Sequence, residues 1–141
     1  MSGETHLPTL LAGLAPELLS GEYVFISVPG RRYGDLSELS PLAVMAEKEG
    51  LSLCVPRHLA VRHGHAHQGC FRCITLSVHS SLEAVGLTAA VSAALAAAGI
   101  SANVVAGARH DHVFIPADVA EHALTLLQRL GESCRAGAAS G

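Results

Sequence analysis

Five side chains able to bind a soft or borderline metal fall within eleven residues. They are His63, His65 and His67 in the run RHGHAHQG, then Cys70 and Cys73 in C-F-R-C. Imidazole nitrogens and thiolates are the ligands of zinc sites, so a metal is the first chemistry to weigh. The spacing argues against it. No second knuckle follows, and Cys73 falls in a segment that reads as a strand, where residues three apart face opposite sides. The two thiols converge only if that strand begins after Cys70. A thioredoxin-type role is disfavoured too, because that motif opens a helix and this one opens a strand. The reading is a loop of solvated histidines with no metal and no cofactor; a metal-binding protein using His63, His65, His67, Cys70 and Cys73 is the alternative. Cys54 reads as a core filler and Cys134 as a tail residue.

Three other groups could do chemistry. His110-Asp111-His112 offers two imidazoles and a carboxylate at the turn of a hairpin, but adjacent residues diverge and no nucleophile is placed, so no catalytic triad results. Aspartate favours a bend, and a polar turn is the reading. Arg31-Arg32-Tyr33 sits in a loop and reads as solvated. Ser80-Ser81-Leu82-Glu83 reads as a capping box that opens a helix: Ser80 accepts from a backbone N–H three residues on, and Glu83 reaches back. Such a helix start also offers free N–H groups and a partial positive charge to a small carboxylate. Gly86, read as one turn into the helix, would let a backbone or ligand approach.

The elements that would position these groups follow from composition and patterning. Half of the 141 residues are hydrophobic, 15% are charged and the formal net charge is −3, which gives no reason to expect a nucleic-acid partner. There is no Trp, and aromatics make up only 4%, so base-stacking platforms are not expected. The longest weakly polar run, Leu87 to Ile100, is too short to span a bilayer. The N-terminus lacks the basic start and unbroken apolar run of a secretory signal. Cysteine spacing shows no disulfide framework, and a cytoplasmic protein with reduced thiols is expected.

Two similar halves emerge. Glu22–Val28 reads as a strand, Pro29–Ser40 as a loop, Leu42–Ala46 and Leu51–Val55 as a hairpin, and Pro56 opens a short helix. Phe71–Val78 reads as a strand, Ser81–Ala98 as a helix, Ala102–Ala108 and His112–Ile115 as a hairpin, and Pro116 opens a helix ending near Leu130. Val44, Val55 and Ala60 match Val104, Ile115 and Ala120 at an offset of sixty. This predicts an α+β chain whose second unit lacks an obvious last strand. An unpaired edge needs cover, from the other half or a second copy. Leu10–Leu19 reads as an apolar segment covering a sheet. On the second helix, Leu82, Val85, Ala89, Ala93, Ala96 and Ile100 form a stripe expected to face the sheet. Leu87, Val91, Leu95 and Ala98 form another, expected to meet a second partner.

The stretches VHSSLEAVGLTAAVSAALAAAGISANVVAG, HDHVFIP, LAPELLSGEYVFISV and LSPLAVMAEKEGLSLCVP resemble the ACT-domain proteins, specifically the small bacterial tandem-ACT group of unassigned function. The resemblance spans roughly residues 7–131 and extends to the ACT pairs of aspartate kinases and of eukaryotic cytosolic arginine sensors. It implies two ferredoxin-like modules of βαββαβ type, the first with a truncated first helix. The boundaries read as 1–68 for a degenerate N-terminal module, 69–132 for the C-terminal module and 133–141 for a disordered tail.

In such domains, effector amino acids bind between modules, against the loop after the first strand and the start of the second strand. Carried onto this chain, those positions are Val78, His79, Ser80, Ser81, Leu82, Glu83 and Gly86, then Ser101, Ala102, Asn103 and Val104. The Asp-x-Pro-Gly loop common in the family is replaced here by His79-Ser80-Ser81. The resemblance implies a non-enzymatic amino-acid sensor, with an amino acid and a second copy of the chain as partners and no membrane partner. The alternative within this fold is a ligand-free oligomerisation module.

Overall fold

The computed structural model describes residues 6–77 and 86–140, with side chains through 135. The elements are α1 (Leu7–Ala12), β1 (Pro16–Leu18), β2 (Tyr23–Val28), β3 (Ala43–Glu47), β4 (Gly50–Pro56) and α2 (Arg57–Arg62). They continue with β5 (Gln68–Leu76), α3 (Leu87–Ala97), β6 (Asn103–Ala106), β7 (Asp111–Pro116) and α4 (Ala120–Ser140). No helix among the described residues is long and apolar enough to cross a membrane.

Ser20–Arg72 forms one compact unit, and the segments on either side of it, up to Leu19 and from Cys73, form the other. The N-terminal segment therefore folds with the C-terminal unit, unlike the expected division at residue 68. The inner unit orders its strands β3, β4, β2 and the first half of β5. The outer unit orders β6, β7 and the second half of β5, with β1 antiparallel to β5 through Pro16↔Leu76 and Leu18↔Ile74. Both follow one plan: the second, third, first and last strands lie side by side, the arrangement of a ferredoxin-like βαββαβ unit. The outer unit takes its last strand from the start of the chain. Pro16 is tolerated in β1 because a first residue on an edge strand loses no ladder donor.

The two hairpins share one register. Ala43↔Cys54 and Val44↔Leu53 in the first become Asn103↔Phe114 and Val104↔Val113 in the second, each residue moved by sixty. Pro56 (φ −55°, ψ 132°) and Pro116 (φ −51°, ψ 134°) adopt the same conformation ahead of their helices. Ala60 and Ala120 are both buried one turn later. Where the outer unit has α3, the inner unit has a loop with a short 3-10 turn, Ser37–Leu39. Leu36 and Leu39 plug the core there, and Leu36 holds a left-handed backbone (φ 66°), a strained choice for a bulky residue.

The outer core gathers Leu10, Leu11 and Leu14 from the N-terminal segment, Ile74 and Leu76 from β5, Leu87, Val91 and Leu95 from α3, and Ala123 and Leu127 from α4. Leu87, Val91 and Leu95 thus face the core, while Ala89, Ala93 and Ala96 are exposed, a reversal of the expected stripes in which Ile100 alone of the described residues keeps its expected place in the core. The reversal follows from area: a leucine or valine removes far more apolar surface from water than an alanine. The expected disordered tail is also corrected. The backbone of α4 stays helical to Ser140, Cys134 packs against the core, and Arg135 Nη1 donates to the Ala12 carbonyl at 2.8 Å, at the last residue of α1.

Cys73 is fully buried in the outer unit. Burial pushes its thiol up to about 11, with hydrogen bonds to Thr75 and to the Val113 backbone pulling partly back. The folded chain keeps this proton where an unfolded chain has lost it. That stabilisation is complete below about pH 8.5, the ordinary thiol value, and disappears as pH rises through the raised one. Urea unfolding between pH 9 and 11 should show stability falling with pH. Cys73→Ala should flatten part of that slope, and an unchanged slope contradicts the assignment. Leu10→Ala should cost about 2–5 kcal/mol, and hydrogen exchange should quicken in β7 and α4 while β2–β4 is spared.

Candidate functional site

The expected amino-acid site divides along α3. Val78, His79, Ser80, Ser81, Leu82 and Glu83, with the capping box, lie outside the described residues. The described helix starts at Leu87. Its N-cap is Gly86, with a left-handed backbone at φ 96° and no side-chain capping bond among the described residues. Gly86 therefore stands at the helix start, not one turn inside it. A side chain there would be strained by that backbone and would stand 3.2 Å from Leu7 Cδ2.

Ser101, Ala102, Asn103 and Val104 sit at the other end of α3, leading into edge strand β6. Ala102 and Val104 pack against the core, whereas Ser101 and Asn103 are exposed. A helix rises 1.5 Å per residue, so the eleven residues of α3 hold Gly86 about 16 Å from this second group. One amino acid is too short to touch both Gly86 and this second group within a single copy.

The five side chains of the metal alternative are not brought together. Among the described residues, no three His, Cys, Asp or Glu side chains come together as a metal site. The reason is the start of β5, which begins at Gln68, before Cys70, so the two thiols diverge. Cys70 is hydrogen-bonded to Glu22; burial first, then that bond and the Glu22 charge, push its thiol up, while Arg57 pulls the other way. Arg57 also pairs with Glu22 at 3.5 Å in an exposed ion pair. Cys73 points instead toward Thr75 and Val113.

His110 ends the turn, its carbonyl accepting from the Gly107 N–H at 2.8 Å, and Asp111 begins β7. His112 Nδ1 lies 3.2 Å from the Thr75 hydroxyl. The Arg31–Tyr33 loop closes on itself through the Arg32 N–H and the Asp35 carboxylate at 2.9 Å.

One feature went unread in the sequence: a concavity of about 860 Å³ within the inner unit, lined by Phe25, Ser27, Ser52, His67, Gln68 and Phe71, among others. Ser27 and Ser52 are direct cross-strand partners. The Phe25 and Phe71 rings meet edge to face, 5.3 Å apart at 82°. The available signals were a serine inside the apolar strand YVFISV and a glycine just ahead of Phe71.

ACT-domain profiles match residues 2–72 and 71–129. A Vibrio cholerae protein of unknown function, described as a possible transport protein, is 45% identical with a TM-score of 0.81, over 89% of this chain and 95% of that one. An Agrobacterium tumefaciens protein shares the fold at 16% identity and a TM-score of 0.69, over 84% and 89% of the two chains. The ligand-free regulatory subunit of aspartate kinase from Thermus thermophilus shares it at 16% identity and 0.54, over 83% and 95%. No curated protein matches the sequence. Two successive ACT matches, on two units with one strand plan, carry the conclusion that the chain belongs to the ACT-domain family.

Proposed function

We propose that the chain is a non-catalytic regulatory module that binds a free amino acid between ACT units. The observation that carries this reading is that both halves match the ACT domain, a module commonly used to bind regulatory amino acids. The likeness in fold to an aspartate kinase regulatory subunit supports it. The ligand would be held by residues 78–83 and Gly86 on one side and by Ser101 and Asn103 on the other. Gly86 and Asn103 stand at opposite ends of α3, so in this reading the two sides come from different copies and the binding unit is a homodimer. Ligand binding then favours one arrangement of the copies, which is how the signal passes on. The exposed Ala89–Ala93–Ala96 face of α3 supports a second reading, a ligand-free association module.

A thermal-shift screen of the common amino acids separates the two. The sensor reading expects one amino acid, at a hundredfold excess over its Kd, to stabilise the chain by about 2.7 kcal/mol. Asn103→Ala and Ser81→Ala should each abolish that shift. Since Asn103 is exposed, its replacement should leave unliganded stability within about 0.5 kcal/mol. A flat response across all amino acids, with a constitutive dimer by light scattering, favours the association module. Unchanged binding in both variants rejects the site.

A further inference from the structure

We infer that the concavity of the inner unit is a second small-molecule site, suited to an uncharged, planar heteroaromatic ring with hydrogen-bond donors and acceptors on its edge. The argument starts from the backbone. Tyr23 pairs with Phe71 and Phe25 with Gln68, so two steps along β2 are matched by three along β5. The extra residue is a β-bulge, and Gly69 within it has a left-handed backbone at φ 72°. Bulges of this kind re-aim a side chain and recur beside binding sites. Here the re-aimed side chain is Phe71. Its ring lies across Gly69 so closely that a Cβ at that position would stand 2.8 Å from Cε2. Glycine is therefore required for the ring to take its place against Phe25.

The result is an aromatic wall in a chain with few aromatics. Two of its three phenylalanines form it, and both remain partly exposed. Opposite chemistry lies beside the wall. The paired Ser27 and Ser52 offer two adjacent hydroxyls, with no hydrogen bond to either among the described residues. Gln68 adds an amide. His67 Nδ1 lies 3.2 Å from the His65 carbonyl; a carbonyl only accepts, so Nδ1 carries the proton and Nε2 of the neutral ring is left as an acceptor. The volume falls within the usual range for small-molecule sites.

Charge decides the ligand class. Among the described residues, no Asp, Glu, Lys or Arg lines the cavity. A zwitterion or a phosphate would lose hydration there without gaining a counter-charge. A neutral ring loses little, stacks on phenylalanine and bonds at its edge to hydroxyl, amide and imidazole. The site is thus distinct from the amino-acid site proposed above, and either can fail without the other.

Adenine, neutral near pH 7, is the probe. Titrated into the full-length chain labelled with 15N, it should shift the amides of Ser27, Ser52, Gln68 and Gly69 in a saturable way. Phe71→Ala should weaken binding about tenfold, as loss of one stacking partner does. Should that variant fail to fold, Phe71→Leu keeps the apolar volume and removes the ring, with the same expected weakening. No shift at millimolar adenine overturns the inference. So do shifts centred on residues 86–104, unchanged affinity in the folded variant, or phenylalanine zwitterion acting at these amides as strongly as adenine.

Discussion

β5 belongs to both units of the chain, and everything else in the chain accommodates that. Its first half closes the inner unit against β2, and its second half opens the outer unit between β1 and β7. Nine residues can serve both purposes only if the outer unit finds its own last strand elsewhere, since the chain after α4 supplies none among the described residues. The segment before β2 supplies it. Leu10, Leu11 and Leu14 anchor that segment in the outer core, and the Leu19 N–H donates to the Cys73 carbonyl at 2.9 Å, where the pairing with β5 ends. A sheet edge that would otherwise be open is covered from within the same chain.

Much of this was legible in the sequence, and the part that was not has physical causes. The hairpins were, because apolar runs flank a two-residue turn in the first and a four-residue turn in the second, and Pro56 and Pro116 mark where strands give way to helices. The sixty-residue offset survived as a register, so few matching residues carried real structural information. β1 was hidden because three residues, Pro-Glu-Leu, give no periodic signal and a proline argues against a strand. α3 was misjudged in facing, since alanines and leucines at interleaved helical spacing score alike until area is weighed. The bulge at Gly69 left only a lone glycine in the sequence, which is why a loop read as solvated histidines gave no sign that His67 and Gln68 would line a concavity.

The site lessons run the same way. Residue types near Cys70 suggested convergence; strand geometry separates them, sending one thiol toward Glu22 and the other into the outer core. Of the groups expected around an amino acid, Gly86 stands at one end of α3 and Ser101 and Asn103 follow its other end. The inner unit contributes differently. It lacks a first helix, and a loop with a left-handed Leu36 fills the core in its place. Its concavity is lined by polar and aromatic side chains, with no Asp, Glu, Lys or Arg among the described residues.

The dependence of the outer unit on the first nineteen residues is tested most directly by native-state hydrogen exchange at the Leu19 amide. If the N-terminal segment is an integral strand of that unit, this amide exchanges as slowly as those of β7 and loses protection at the same denaturant concentration. Exchange at the rate of a free peptide, with β7 still protected, would contradict the account.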